Sequence, residues 1–209
     1  SSRSQTFSAP GSQTLTFDNS GSTAQLTYVS TGGNNTYFYL PILLNGSLNI
    51  SSQNSRTLYF SNAASVTNIS SSAVTITNNG SGSGSTAGVS FGVTISDGTS
   101  GGTVSLIQSS ATCPLTLGAT NTYSGSTTLT SGYLKLQNAN AIQNSTLIMN
   151  GGTLQFSSLV TGNAFTLGGL SASTAGTGYD IALQNNATPT PVAIALSVGK
   201  NNADTTYAG

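Results

Sequence analysis

The sequence predicts an all-β fold in which the chain winds into a parallel β-solenoid, a single elongated stack of coils. Three observations lead to this prediction: apolar and polar residues alternate in short runs, turn-forming residues bound the runs, and charged residues are scarce. Lys and Arg together number 4 and Asp and Glu 4, so that 4% of the 209 residues are charged. About a quarter is usual in a soluble domain. A chain of this length can bury a substantial core.

The apolar period is two along most of the chain, which is the period of a β-strand with one buried face. Gly, Asn and Ser bound the runs, as at Asn150-Gly151-Gly152. No run has the period of an amphipathic helix, so the chain is predicted to be all-β. Besides the strand-like Gln5-Thr6-Phe7, strands are predicted over residues 13–17, 24–29, 47–50, 73–77, 89–95, 104–107, 115–117, 127–130, 133–136, 146–149, 153–156, 165–167, 181–183 and 192–198.

Short strands of this kind suit a β-sandwich, an up-and-down barrel or a parallel solenoid. A long internal repeat favours the solenoid, because residues 34–37, 120–123 and 204–207 are similar and recur at nearly equal spacing. Residues 44–50 align with residues 130–136 at the offset that relates the first two copies. Stacked Asn, Ser and Thr can hydrogen-bond between coils, whereas like charges about 4.8 Å apart would repel. Coils of roughly 20–29 residues would number on the order of eight to ten.

A family resemblance appears in the second half of the chain. Residues 115–129, LTLGATNTYSGSTTL, closely resemble the autotransporter-associated β-strand repeat, also called the passenger-associated transport repeat. The resemblance continues through residues 131–136, 138–142 and 151–156, and residues 165–170 and 198–207 look like the spacers between such repeats. It covers about residues 91–209 and implies a right-handed parallel β-helix on the surface of, or released from, a diderm bacterium. Cys113-Pro114 departs from the family pattern, which has Gly-Thr there.

The expected organisation is one solenoid over residues 1–209. Residues 1–30 are expected to supply N-terminal docking or capping strands, and residues 91–209 form the autotransporter-type repeat region. The start at Ser1 rather than at Met suggests that a targeting segment has been removed. Together with the surface location that the resemblance implies, this leads us to expect an extracellular or cell-surface protein.

The composition argues against most kinds of catalytic, metal-binding and nucleic-acid-binding site. Without His, neither a Ser-His-Asp triad nor a His/Cys zinc site can form, and the four Asp residues are far apart in sequence. We therefore predict no catalytic residue, no metal ligand and no cofactor, and an enzyme acting on polysaccharides is the least favoured function. Asp97 and Asp204 are expected at turns or coil corners. Nucleic-acid binding is not expected, because no basic stripe is present.

Two features allow two interpretations each. Cys113 is the single cysteine, and is either a small buried residue or the partner in a disulfide between chains. The apolar run 37–44 is either a buried strand or an exposed docking patch formed by Tyr37, Phe38, Tyr39 and Leu40. Pro41 cannot donate to a β-ladder, so this run is expected at an edge or a bulge. The run is too short to span a bilayer, and we expect no transmembrane segment.

Assembly is the predicted function. The ends of a solenoid are rows of unpaired backbone groups that template further pairing. We expect identical copies to stack head to tail, the N-terminal strands of one copy continuing the C-terminal coil of its neighbour, as subunits of an extracellular filament or matrix fibre. The predicted interface consists of Gln5, Thr6, Phe7, Leu15, Phe17, Thr206, Tyr207, Ala208 and Gly209. The alternative is a monomeric adhesin, the stalk of an autotransporter, with surface glycans or other cells as partners.

Overall fold

The computed structural model describes residues 4–8, 11–29, 33–53, 55–61, 65–84, 86–172 and 179–207. These residues form nineteen β-strands and one 3-10 turn, Thr161–Asn163. No helix within them has the length and apolar character needed to cross a membrane. The strands are β1 (Gln5–Phe7), β2 (Leu15–Phe17), β3 (Ala24–Tyr28), β4 (Thr36–Phe38), β5 (Ile42–Leu44), β6 (Leu48–Ser52), β7 (Thr57–Phe60), β8 (Val66–Asn68), β9 (Val74–Asn78), β10 (Gly88–Phe91), β11 (Ile95–Ser96), β12 (Val104–Gln108), β13 (Leu115–Leu117), β14 (Thr127–Leu129), β15 (Tyr133–Leu136), β16 (Ile142–Met149), β17 (Thr153–Phe156), β18 (Ala164–Ala172) and β19 (Ala195–Val198).

Successive strands belong to three parallel sheets in turn, and this arrangement confirms the predicted parallel β-solenoid. Sheet I has the order β1-β4-β7-β10-β13-β15-β17, sheet II the order β2-β5-β8-β11, and sheet III the order β3-β6-β9-β12-β14-β16-β18-β19. Each of the first four coils therefore gives one strand to each sheet. Beyond β11 the described residues add no further strand to sheet II, although Thr122 N–H still donates to the carbonyl oxygen of Ile95 at 3.0 Å. Right-handed winding stays a prediction, and the strong preference of parallel crossovers for that hand favours it.

Coil length varies along the stack. The equivalent inward positions in sheet I are unevenly spaced in the chain, at Phe7, Phe38, Phe60, Phe91, Leu117, Leu136 and Phe156. The predicted long repeat is consequently not a structural repeat, because residues 48–50 lie in β6 of sheet III whereas residues 134–136 lie in β15 of sheet I. A pattern of Gly, Leu and Ile at alternate positions suits a strand of any of the three sheets. Similar sequences therefore occur at structural positions that are not equivalent.

The core fills the space enclosed by the three sheets, and aromatic rings stack within it from coil to coil. The rings of Phe38 and Phe60 lie 5.2 Å apart and those of Phe60 and Phe91 lie 4.5 Å apart, with interplanar angles of 15° and 10°. Ile42 and Ile95 of sheet II are fully buried on another side of the same core. The alternation read from the sequence thus places one set of side chains inside and the other outside.

Polar side chains also stack inside the solenoid, as predicted. Asn78 and Gln108 are register partners on β9 and β12, and Asn78 Nδ2 donates to Gln108 Oε1 at 2.7 Å. Asn78 Nδ2 also donates to the carbonyl oxygen of Cys113 at 2.7 Å. The side chain of Cys113 is fully buried beside these amides, which confirms the buried interpretation and leaves its sulfur inaccessible to a disulfide between chains. Burial raises the pKa of the Cys113 thiol.

Most predicted strands are confirmed, and the exceptions have physical reasons. The run 89–95 divides at Gly92 into β10 and β11, because the chain turns there from sheet I to sheet II. No strand forms over residues 181–183. The sequence pattern missed β7, in which Leu58, Tyr59 and Phe60 are consecutive apolar residues without alternation, and β8, which contains a single apolar residue.

Candidate assembly ends of the solenoid

The outermost N-terminal coil consists of β1, β2 and β3, each of which is the last strand of its sheet. Gln5 N–H donates to the carbonyl oxygen of Asn35 at 3.2 Å, and the carbonyl oxygen of Phe7 accepts from Tyr39 N–H at 2.8 Å. Alternate residues of a strand direct their backbone groups to opposite sides. The N–H and C=O of Thr6 therefore point away from β4, toward the outer edge of the coil.

The same alternation holds in β2. Leu15 N–H donates to the carbonyl oxygen of Pro41 at 2.9 Å, and Asn45 N–H donates to the carbonyl oxygen of Phe17 at 2.9 Å. The backbone groups of Thr16 accordingly face outward. Both strands thus present backbone donors and acceptors along the direction in which another coil would stack.

Apolar side chains are also open at this end. The Phe7 ring is 50% exposed, while one of its faces stacks on Phe38 at 4.7 Å with an interplanar angle of 7°. Next to it is an opening of about 150 Å³ lined in part by Phe7, Leu26 and Val29. Val29 is 64% exposed. Among the described residues, the N-terminal end is therefore an open mouth of the hydrophobic core.

The C-terminal end is built differently. Asn185 N–H donates to the carbonyl oxygen of Val192 at 2.8 Å, and Ile194 N–H donates to that of Leu183 at 3.1 Å, so residues 183–194 form an antiparallel hairpin. Asn186 N–H donates to the carbonyl oxygen of Phe156 at 2.9 Å. This C-terminal hairpin covers part of the outer edge of β17, the last strand of sheet I.

The Asn185 side chain holds the C-terminal hairpin together. It is 4% exposed, and its Nδ2 donates to Asn163 Oδ1 at 2.8 Å. Its Oδ1 accepts from Ala187 N–H at 3.1 Å and from Val192 N–H at 3.0 Å. One amide therefore satisfies both arms of the hairpin and ties it to the preceding coil.

Sheet III ends at β19, and the residues after it run beside β18. The carbonyl oxygen of Thr206 accepts from Ala172 N–H at 3.2 Å, and the Tyr207 hydroxyl donates to the carbonyl oxygen of Tyr179. Burial, with a smaller contribution from the nearby Asp180 carboxylate, raises the pKa of Tyr207. Tyr207 also lines an apolar depression of about 470 Å³ with Leu170, Ile181, Leu183, Leu196 and Asp180.

The structure brings together some of the predicted interface residues and separates others. Gln5, Thr6 and Phe7 lie on β1 and Leu15 and Phe17 on β2, all in the outermost N-terminal coil. Thr206 and Tyr207 lie at the opposite end of the stack, where backbone and side-chain groups of their own chain already pair with them. Ala208 and Gly209 are outside the described residues.

The third strand of the N-terminal coil, β3, contributes Leu26 to the mouth and lies within residues 1–30, where docking or capping strands are expected. The C-terminal hairpin, in contrast, was missed by sequence reasoning. Its signal is the segment Thr188-Pro189-Thr190-Pro191, since prolines this close together favour a turn over a continuous strand.

The predicted docking patch is wrong in one respect. Phe38 is 4% exposed, because its ring lies between those of Phe7 and Phe60 inside the core. Tyr37 and Tyr39 are half-buried on the outside of sheet I, and Leu40 packs against the core. The expectation of an edge or a bulge is also wrong, since Pro41 occupies the corner between β4 and β5, which are both inner strands in regular register.

Two of the four carboxylates hold coil corners. Asp97 Oδ1 accepts from Val104 N–H at 2.7 Å, and its Oδ2 accepts from the N–H and hydroxyl of Ser124 at 2.9 and 2.7 Å, which confirms the corner interpretation. Hydrogen bonds from the Asn45 side chain and from Ser20 N–H lower the pKa of Asp18. Among the described residues, no three His, Cys, Asp or Glu side chains come together as a metal-binding group.

In comparisons with protein-family models, with curated proteins and with solved structures, no match to this chain was found. The resemblance of residues 91–209 to the autotransporter-associated repeat rests on the sequence pattern alone. The structure adds that the strands from β10 to β19 stack in parallel sheets.

Proposed function

We propose that this chain is a structural β-solenoid unit of an extracellular bacterial fibre, in which identical copies stack end to end. The observation that carries the proposal is the N-terminal coil, where β1, β2 and β3 end their three sheets side by side. A parallel edge with outward-facing backbone groups and a half-exposed Phe7 ring is a template for one more coil.

The occupant of this edge is the C-terminal end of a second copy. In the proposed contact β19 of one copy lies beside β3 of the next, because both strands are edges of sheet III and run in the same direction. The C-terminal hairpin of the first copy then faces the mouth beside Phe7. Its exposed Leu183 and Val192, 54% and 48% accessible, supply apolar side chains for that opening.

Charge and symmetry favour a filament as the product of this contact. The formal net charge is +0, so little electrostatic repulsion opposes stacking. A contact between unlike ends that stacks the copies along one axis does not close on itself, and repetition of it makes a fibre rather than a dimer. The resemblance to autotransporter repeats supports a location outside the cell.

Thr6 offers a sharp test. Its N–H points away from β4 and, in the proposed contact, toward the C-terminal hairpin of the stacked copy, so Thr6→Pro removes a donor available to that contact, and proline is tolerated at such edge positions. Thr6→Val is the matched control, because it keeps the N–H and the branched side chain. We expect wild type and Thr6→Val to form filaments in negative-stain micrographs and fast-sedimenting species in the ultracentrifuge, and Thr6→Pro to remain monomeric with an unchanged circular dichroism spectrum.

The same sedimentation experiment separates the fibre from the alternative. A monomeric adhesin stalk needs no contact between solenoid ends, so all three proteins would sediment as one small species at every concentration. That result, or filaments of Thr6→Pro as abundant as those of wild type, would reject end-to-end stacking.

A further inference from the structure

The outer face of sheet I carries an aromatic wall that stops abruptly. Tyr37, Tyr59 and Ser90 are register partners on the successive strands β4, β7 and β10. The Tyr37 and Tyr59 rings stack at 5.0 Å with an interplanar angle of 8°. The next position in the row is the small Ser90, so the second face of the Tyr59 ring looks along the sheet over β10.

Two strands of small residues follow this wall. Thr116 is the register partner of Ser90, and Lys135 is the register partner of Thr116, so that Lys135 stands three strand spacings, about 14 Å, from Tyr59. On the far side Lys135 is flanked by Tyr133, which is 44% exposed, and by Gln137. We call the space between the two walls the sheet I trough. The outward positions of its floor are Gly88, Ser90, Gly92, Pro114, Thr116 and Gly118.

The charges around the sheet I trough are positive. Lys135 forms one wall, and Arg56 lies at the beginning of the trough, where its Nη1 donates to Thr86 Oγ1 at 3.4 Å. The floor is uncharged. Asp18 and Asp97 are bound at coil corners beside sheet II, and Asp180 and Asp204 belong to the C-terminal segment, so the carboxylates of the chain lie elsewhere.

An aromatic face, hydroxyl groups and a cation together suit one class of ligand. The face of an aromatic ring is electron-rich and attracts the weakly positive C–H groups on the flat side of a pyranose ring. Ser90 and Thr116 can exchange hydrogen bonds with sugar hydroxyls, and Lys135 attracts a carboxylate. We propose that the sheet I trough binds an acidic polysaccharide, with one pyranose ring stacked on Tyr59 and a uronate carboxylate beside Lys135.

The first variant of the test fills the site and leaves Tyr59 and Lys135 in place. Ser90→Tyr places a ring on the open face of Tyr59, as Tyr59 itself does for Tyr37, and the longer stack should leave the melting temperature unchanged or higher. Thr77→Tyr is the matched control, because Thr77 is an outward residue of β9 on sheet III. Lys135→Gln removes the cation and keeps a long polar side chain.

Binding is measured by isothermal titration calorimetry at about 150 mM salt, where exposed charges are screened beyond roughly 8 Å, with sodium alginate as the uronate polymer and laminarin as a neutral one. We expect wild type and Thr77→Tyr to bind alginate equally, Ser90→Tyr at least tenfold more weakly, and Lys135→Gln severalfold more weakly. Lys135→Gln should bind laminarin as wild type does. Failure of wild type to bind alginate, or alginate binding by Ser90→Tyr equal to that of wild type, would overturn the proposal.

Discussion

The ring of Phe7 stacks on the ring of Phe38 with 4.7 Å between their centroids, although Phe7 is 50% exposed and Phe38 only 4%. Phe60 and Phe91 continue the stack in the next two coils. Phe38 and Phe60 are covered on both faces by rings from neighbouring coils, whereas Phe7 is covered on one. The stack therefore links coils along the axis and ends at an open ring.

This difference predicts unequal effects of two Phe→Ala substitutions. Phe60→Ala should lower the free energy of unfolding by about 3–5 kcal/mol, because it leaves a cavity between two buried rings. Phe7→Ala should cost roughly 1 kcal/mol in the monomer, since half of its surface is already in water. Urea unfolding at a protein concentration that keeps the chain monomeric measures both, and equal losses would contradict an open end at Phe7.

A pair of glycines tests how closely the coils approach at a corner. A Cβ at Gly125 would lie 2.2 Å from the carbonyl oxygen of Val104, whereas a Cβ at Gly92 would lie 3.5 Å from that of Phe60. Gly125→Ala should therefore lower the free energy of unfolding by roughly 2–4 kcal/mol, because backbone must move. Gly92→Ala should change it by less than about 1 kcal/mol. Denaturant titration measures the free energy of unfolding of both variants. A Gly125→Ala variant as stable as wild type would mean that the coils are more widely spaced.

Tyr123 predicts a loss of stability in alkali. Its hydroxyl is buried and hydrogen-bonded to Thr127 Oγ1 at 2.7 Å, and burial raises the pKa of this phenol well above its usual value. The unfolded chain ionises near pH 10, so the contribution of the buried phenol is complete below that pH. Above it, the contribution falls by up to about 1.4 kcal/mol per pH unit until the folded phenol ionises too.

Two variants isolate this effect. Tyr123→Phe should lose about 1 kcal/mol at pH 7, where it removes a buried hydrogen bond, and should show a shallower decline above pH 10 than wild type. Tyr133→Phe removes an exposed hydroxyl and should keep the wild-type profile. Free energies of unfolding between pH 7 and 11 test both statements, and identical slopes for wild type and Tyr123→Phe would refute the assignment.

The thiol of Cys113 should be unreactive in the folded protein. Its side chain is fully buried, and its raised pKa disfavours the reactive thiolate. A disulfide reagent such as 5,5′-dithiobis(2-nitrobenzoate) should react no faster than the protein unfolds, and at once in urea. Rapid stoichiometric reaction under native conditions would show that the packing around Asn78 and Gln108 opens readily.

The local pattern of the sequence was sufficient to predict where most strands lie, and insufficient to predict which strands pair with each other. Alternation at residues 73–77 predicts a strand, and β9 forms there at Val74–Asn78. The same alternation suggested that residues 44–50 and 130–136 are equivalent, and they are not, since every sheet of a solenoid buries alternate residues. The prediction of a single strand or patch over residues 37–44 was wrong for a related reason, because the turn at Pro41 divides these residues between two sheets.

The sequence by itself determined that this protein is built from short β-strands and carries few charges, because alternation and charge scarcity are local properties that each segment carries alone. Only the tertiary structure decided which coil neighbours which, since turns of different length make the coils unequal. That stacking places Ser90 next to Tyr59, a full coil earlier in the chain, and folds the C-terminal hairpin over β17. Contacts of this kind depend on long-range packing, which no periodic pattern in the residues records.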